Sequence, residues 1–169
     1  VVYGINTGFG ALSSITIDES KLARLQTNLI RSHACGVGEN MASEDVLMMM
    51  AIRANSLAVG HSGIRLSVIQ TIVDLVNSRC APVVPRIGSL GASGDLAPLS
   101  HLTLGLMGEN QFFVEIDGIW KLKDADFVFE LIESEPVELQ AKEGLSLING
   151  TSQMCAYMVG ALHTSVADT

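Results

Sequence analysis

One segment limits the fold more than any other. The run VLMMMAIRANSLAV, residues 46 to 59, is apolar nearly all round the helix it would form. A helix with one apolar stripe can lie on a surface, but one apolar on most sides must be enclosed by other elements. Ser43, followed by Glu44 and Asp45, makes a good helix start, and Gly60 and Gly63 end the run. The enclosing elements should also be helices, because only 5% of the residues are aromatic while aliphatic residues and Met make up most of the 48% hydrophobic content. A chain of 169 residues suffices for one domain with a sizeable core.

Helical spacing recurs on both sides of this run. Leu22, Leu25, Leu29 and Ile30 predict a helix over 19 to 34, with Asp18 as its cap. Leu66, Ile69, Ile72, Val73 and Val76 predict another, closed at Asn77 by the extended, Pro-punctuated CAPVVPRIGSL. Leu96, Leu99, Leu102 and Leu106 predict a helix over 96 to 107, with Pro98 in its first turn. Residues 3 to 16, with Gly4, Gly8 and Gly10, form a loop. The alternation in QFFVEIDGIWKLK around Asp117-Gly118 is a hairpin signal. A helical stretch near 136 to 142, a turn at Asn149-Gly150 and a last helix capped by Thr151 or Ser152 complete the expectation. The fold class is mainly α: a helical domain with a Gly-rich N-terminal loop and one small β-hairpin.

Charge and cysteine usage narrow the partners. Ten Lys and Arg against 18 Asp and Glu give a net charge of -8 with no basic run, which disfavours nucleic acid. Cys35, Cys80 and Cys155 contain no CxxC pair and fit three reduced thiols in a cytoplasmic protein better than a disulfide framework or zinc site. The uncharged stretch 144 to 167 is interrupted by Asn149, Thr151, Ser152, Gln153, His163 and Thr164, so no membrane span is expected. The chain opens without Met and stops inside a helical pattern, as a piece of a larger protein would, and no secretory leader opens it.

The chemistry concentrates in GSLGASGDLAPLSHL, residues 88 to 102. A phosphate loop needs Lys after its second Gly, whereas Gly94 is followed by Asp95. Gly88, Gly91 and Gly94 are spaced GxxGxxG, not the GxGxxG of a dinucleotide site. GASG is one residue short of a GxSxG nucleophile turn, and His101 makes no triad with Ser93. The backbone itself offers a different reaction: the amide nitrogen of Gly94 could attack the carbonyl carbon of Ala92, since a residue without Cβ lets two backbone groups approach. Loss of water closes an imidazolone ring, and loss of the Ser93 hydroxyl leaves an exocyclic methylidene, a strong electrophile.

This stretch resembles the signature of the aromatic amino-acid ammonia-lyases, in which Ala-Ser-Gly forms that methylidene-imidazolone. YGINTGFG at 3 to 10 resembles the family's tyrosine loop, and EGLSLINGT at 143 to 151 its asparagine segment. The resemblance implies the 4-methylideneimidazole-5-one cofactor from Ala92, Ser93 and Gly94, with no metal and no nucleotide. It implies Tyr3 as general base and Asn149 as the group that holds the ring oxygen or the substrate. Ser32-His33 in RSHACGVG is similar to the side-chain pocket pair of the histidine-specific members, where phenylalanine and tyrosine lyases tend to carry Phe-Leu or His-Leu.

The implied reaction is loss of ammonia from L-histidine to give urocanate, with the substrate bonded covalently to the electrophile so that one difficult step becomes several easier ones. The runner-up is a phenylalanine or tyrosine ammonia-lyase or an aminomutase; from another class, the chain could be a non-catalytic assembly domain. The family works as a homotetramer on a small amino acid. Its remaining pocket residues, a carboxylate-binding Arg among them, lie beyond residue 169, so the 169 residues alone are expected to be inactive. The residues leave two readings for Asn149, an Asn-Gly turn or a site group, and two for Asp95, support of the ring closure or, the favoured one, a helix cap. His61, His101 and His163 lack ligand-like spacing and are assigned no role.

Overall fold

The apolar run does form a helix, α2 (Ser43–Ala58), which buries Val46, Leu47, Met49, Met50, Ala54 and Leu57. In this computed structural model, which describes residues 1–91 and 94–167 (not the side chains of 163–167), six further helices surround or extend it. They are α1 (Leu22–His33), α3 (Leu66–Asn77), α4 (Leu96–Leu106), α5 (Ala125–Leu131), α6 (Glu143–Ile148) and α7 (Ser152–Ala167). Helices α3 and α7 pack on α2, while α1, α4 and α6 pack on one another. The mainly helical class follows the expectation. Asp18 caps a short 3-10 turn, Glu19–Lys21, that runs into α1, its Oδ1 accepting from the Ser20 N–H at 3.0 Å.

The hairpin is present as β4 (Phe112–Ile116) and β5 (Ile119–Lys123), closed by Asp117 and Gly118 with φ of 53° and 75°. Two positive φ values in a two-residue loop match the twist of the flanking strands. The strand β2 (Cys80–Pro82) joins β4 antiparallel, Cys80 opposite Val114, giving three strands where the sequence shows two. A separate ribbon pairs β1 (Val37–Asn40) with β3 (Pro85–Ile87), which brings the segment after α1 beside the segment that leads into the glycine loop. Phe112 is fully buried and meets Phe129 of α5 edge-on, with ring centroids 6.4 Å apart.

One local expectation is overturned. Residues 136 to 142 are not helical; helix occurs before them in α5 and after them in α6. The amides of this segment find partners outside a helical ladder instead: Val137 N–H donates to the distant Leu106 carbonyl at 2.8 Å, and Gln140 N–H to the nearby Glu143 side chain, at Oε2, at 2.8 Å. Lys142 then takes a left-handed turn, φ 77°, into α6. Glu143, 2% exposed, fixes that start by accepting from Arg65 Nε and Nη2, both at 2.8 Å. Burial alone would raise the Glu143 carboxyl, but these bonds and the Gln140 amide outweigh it and hold the group below the usual carboxylate range.

Leu57, fully enclosed in α2, tests the packing. Leu57→Ala is expected to cost about 2–5 kcal/mol in urea unfolding, while Ser56→Ala on the exposed side stays within about 0.5 kcal/mol.

Candidate active site

The glycine loop hangs between β3 and α4. Ala92 and Ser93 lie outside the described residues, but both flanks are fixed. On one side, Ser89 Oγ accepts from Gly91 N–H at 3.2 Å and donates to Asp95 Oδ1 at 2.6 Å. On the other, Asp95 N–H donates to the Gly150 carbonyl at 2.6 Å. Gly94 has φ of 104°, a region that side chains rarely adopt. A Cβ placed there would lie 3.6 Å from Asn149 Oδ1, so the third residue of Ala-Ser-Gly faces the Asn149 carboxamide.

Asp95 departs from its favoured reading. It stands at the first position before α4 and its carbonyl accepts from Leu99 N–H, but its carboxylate makes no bond to that helix. The carboxylate crosses to α7, where Oδ2 accepts from Met154 N–H at 3.0 Å. Met154 is the third residue of α7, so Asp95 takes the capping duty expected of Thr151 or Ser152. Thr151 Oγ1 instead lies 3.9 Å from Cys155 Sγ. A fully buried carboxylate thus ties three segments together.

Asn149 ends α6, its N–H donating to the Leu145 carbonyl at 3.0 Å, and its side chain is exposed. Behind the turn lies Arg53 of α2, 5% exposed. Its Nη2 donates to the Asn149 carbonyl at 3.1 Å and also to the Ser146 carbonyl. A Cβ at Gly150 would run into Arg53 Nη1, so the guanidinium can hold this place only beside a glycine. Sequence reading passed over Arg53 as one charge in an apolar run.

Ser32 and His33 occupy the last turn of α1. His33 Nδ1 lies 2.8 Å from the Leu29 carbonyl, which can only accept, so in the neutral ring Nδ1 carries the proton and Nε2 is left as an acceptor. Ser32 Oγ donates to the same carbonyl at 2.9 Å. Both residues line a cavity of about 330 Å³ walled mainly by Phe9, Leu12, Leu25 and Leu29. Tyr3 stacks edge-on against Phe9 at 6.2 Å, and its hydroxyl accepts from Gly10 N–H at 3.4 Å. The structure therefore brings Asn149 to Gly94, and Tyr3 to the wall of the His33 cavity. No hydrogen bond among the described residues joins these two groups.

His101, given no role by sequence, holds the segment after His33: its Nε2 accepts from Gly36 N–H at 3.0 Å. Burial keeps the imidazole below its ordinary 6.5. No group of three or more His, Cys, Asp or Glu among the described residues could hold a metal, and no described helix is long and apolar enough to cross a membrane.

Two measurements check this geometry. Asp95→Ala removes the acceptor of the part-buried Met154 N–H and Ser89 hydroxyl and should cost about 0.5–1.5 kcal/mol for each bond lost, whereas Asp95→Asn, which keeps one acceptor oxygen, should cost less in the same urea titration. For His101, the unfolded chain binds a proton before the folded one, so stability contributed above about pH 6.5 is lost as the pH falls toward the lower folded value. His101→Gln should flatten that loss as the pH falls below about 6.5, a slope of at most ~1.4 kcal/mol per pH unit.

Comparison with known proteins is consistent with the arrangement. The family model for aromatic amino acid lyase matches residues 1–167. Histidine ammonia-lyase of Staphylococcus saprophyticus is 50% identical over 155 residues, 92% of this chain and 30% of that protein. The crystal structure of histidine ammonia-lyase from Trypanosoma cruzi superposes with a TM-score of 0.81 at 45% identity, covering 92% of this chain and 29% of that one. Tyrosine aminomutase from Streptomyces globisporus gives 0.79 at 41% identity, over 92% and 28%. The chain spans about 30% of the length of the curated relatives it matches. From the Tyr3 loop to the Asn149 turn, this chain belongs to the aromatic amino acid lyase family.

Proposed function

We propose that this chain is the N-terminal part of a cytoplasmic, homotetrameric ammonia-lyase that converts L-histidine to urocanate and ammonia. The observation that carries the choice of substrate is the His33 imidazole, fixed through Nδ1 to the Leu29 carbonyl beside the Ser32 hydroxyl. An acceptor nitrogen and a hydroxyl at the edge of an apolar cavity suit a substrate ring that has both an apolar face and an N–H. Relatives 50% identical to the chain bear the name histidine ammonia-lyase, which supports the same reading.

The residues present fit the family's cofactor. Gly94 has a conformation that side chains rarely adopt, and the described residues that flank the segment, Gly91 and Asp95, are held by Ser89 and Gly150. The methylidene-imidazolone, when formed from Ala92, Ser93 and Gly94, supplies a carbon electrophile to which the substrate bonds. Asn149 offers one acceptor and two donors beside Gly94, the inventory needed to hold a carbonyl oxygen or an amino group. Tyr3 serves as the base for the β-proton. Its hydroxyl accepts from Gly10 N–H at 3.4 Å, which ties the ring to the loop that carries it. His33 orients the substrate ring and Ser32 its own neighbour.

A second reading, a tyrosine or phenylalanine lyase or aminomutase, is favoured by the 41% identity to a tyrosine aminomutase. Product analysis of the full-length protein with His, Tyr and Phe separates them. We expect urocanate from histidine and an intact mass short by two waters, and we expect His33→Phe to lower kcat/KM for histidine by about 10-fold or more. Preference for tyrosine, or an unchanged preference after His33→Phe, would sink the histidine assignment; an unmodified mass would sink the lyase reading altogether.

A further inference from the structure

Arg53 is the charge that the proposed chemistry leaves unexplained. It is 5% exposed, and among the described residues no carboxylate lies within ion-pair distance of it. Its Nε has no hydrogen-bond partner. Burial without a counter-charge is costly enough that an apolar residue of similar volume is often better for stability. What Arg53 does have is two carbonyls, those of Ser146 and Asn149, at the end of α6 where the helix presents its negative pole.

Those carbonyls are not arbitrary. One belongs to Asn149, whose carboxamide faces Gly94, and the next carbonyl along, that of Gly150, accepts from Asp95 N–H. The turn at 149 and 150 is therefore clamped from both sides: a guanidinium on the α2 side and the glycine loop on the other. At Gly150 the absence of a Cβ leaves room for Arg53 Nη1 against the turn. Both bonds come from Nη2 while Nη1 lies against Gly150; a lysine has one nitrogen on a flexible stem and cannot fill both places.

We propose that Arg53 is a positioning residue for the lyase reaction: by gripping the Ser146 and Asn149 carbonyls it sets the Asn149 carboxamide against Gly94. The proposal rests on the reading of Asn149 as a group of the active site. It makes Arg53 act through Asn149 and not on the substrate, so its loss should reduce kcat and leave KM nearly alone.

The test is a double-mutant cycle in the full-length enzyme with Arg53→Lys, Asn149→Ala and the pair, each checked for tetramer formation and for the two-water mass deficit. The expected result is a kcat reduced about 10- to 100-fold in Arg53→Lys, with KM for histidine within about 3-fold. The pair should be no slower than Asn149→Ala alone, because the two residues act as one unit. Lysine keeps the charge, and Arg53→Met offers a second, apolar route should Arg53→Lys fail to assemble. Costs that multiply in the pair, a wild-type kcat in Arg53→Lys, or loss of the mass deficit in that variant would each overturn the proposal. Wild-type activity in Asn149→Ala would overturn the reading of Asn149 itself, and with it the role of Arg53.

Discussion

Everything near the glycine loop depends on the carboxylate of Asp95. It is fully buried and joins Ser89, at the entry of the loop, to Met154, in the first turn of α7. Its own amide reaches Gly150. A charged acceptor for a helix N-terminus is stronger than a neutral one, since the orphan amides and the aligned peptide dipoles both favour it. One residue thereby brings the two motif segments, 88 to 95 and 149 to 154, to a single place.

The helices around it set the distances. Glu143 fixes the start of α6 through Arg65, and Arg53 grips its end, so the six-residue helix that carries Asn149 is held at both termini by guanidinium groups. Helix α1 delivers Ser32 and His33 in its last turn, and the His101 bond to Gly36 directs the chain away immediately afterwards. Short elements are marginal alone and take their stability from such tertiary ties.

The sequence was legible where its signals are local. The periodic leucines of α1, α3 and α4 and the Asp117-Gly118 turn are read from neighbours a few residues apart, and they appear where expected. The stretch 136 to 142 misled because its amides bond to Leu106 and Glu143, partners that periodicity does not register. The third strand β2 and the ribbon β1–β3 are three or four residues long and exist only because distant edges meet. For the site, residue types pointed to Gly94 and Asn149, and the structure sets them face to face. Arg53, His101 and the true partner of Asp95 stayed hidden, since a side chain's target 59, 65 or 96 positions away leaves no local trace.

The bond from Asp95 to Met154 also sets an order of events during synthesis. The two residues are 59 positions apart, so the far anchor of the loop does not yet exist when residues 92 to 94 leave the ribosome. At roughly 5–20 residues per second, the nascent chain waits about 3–12 s before α7 can offer its first amides. The loop therefore gains this anchor only after α7 has been made, although its other tie, to Ser89, is only six residues away.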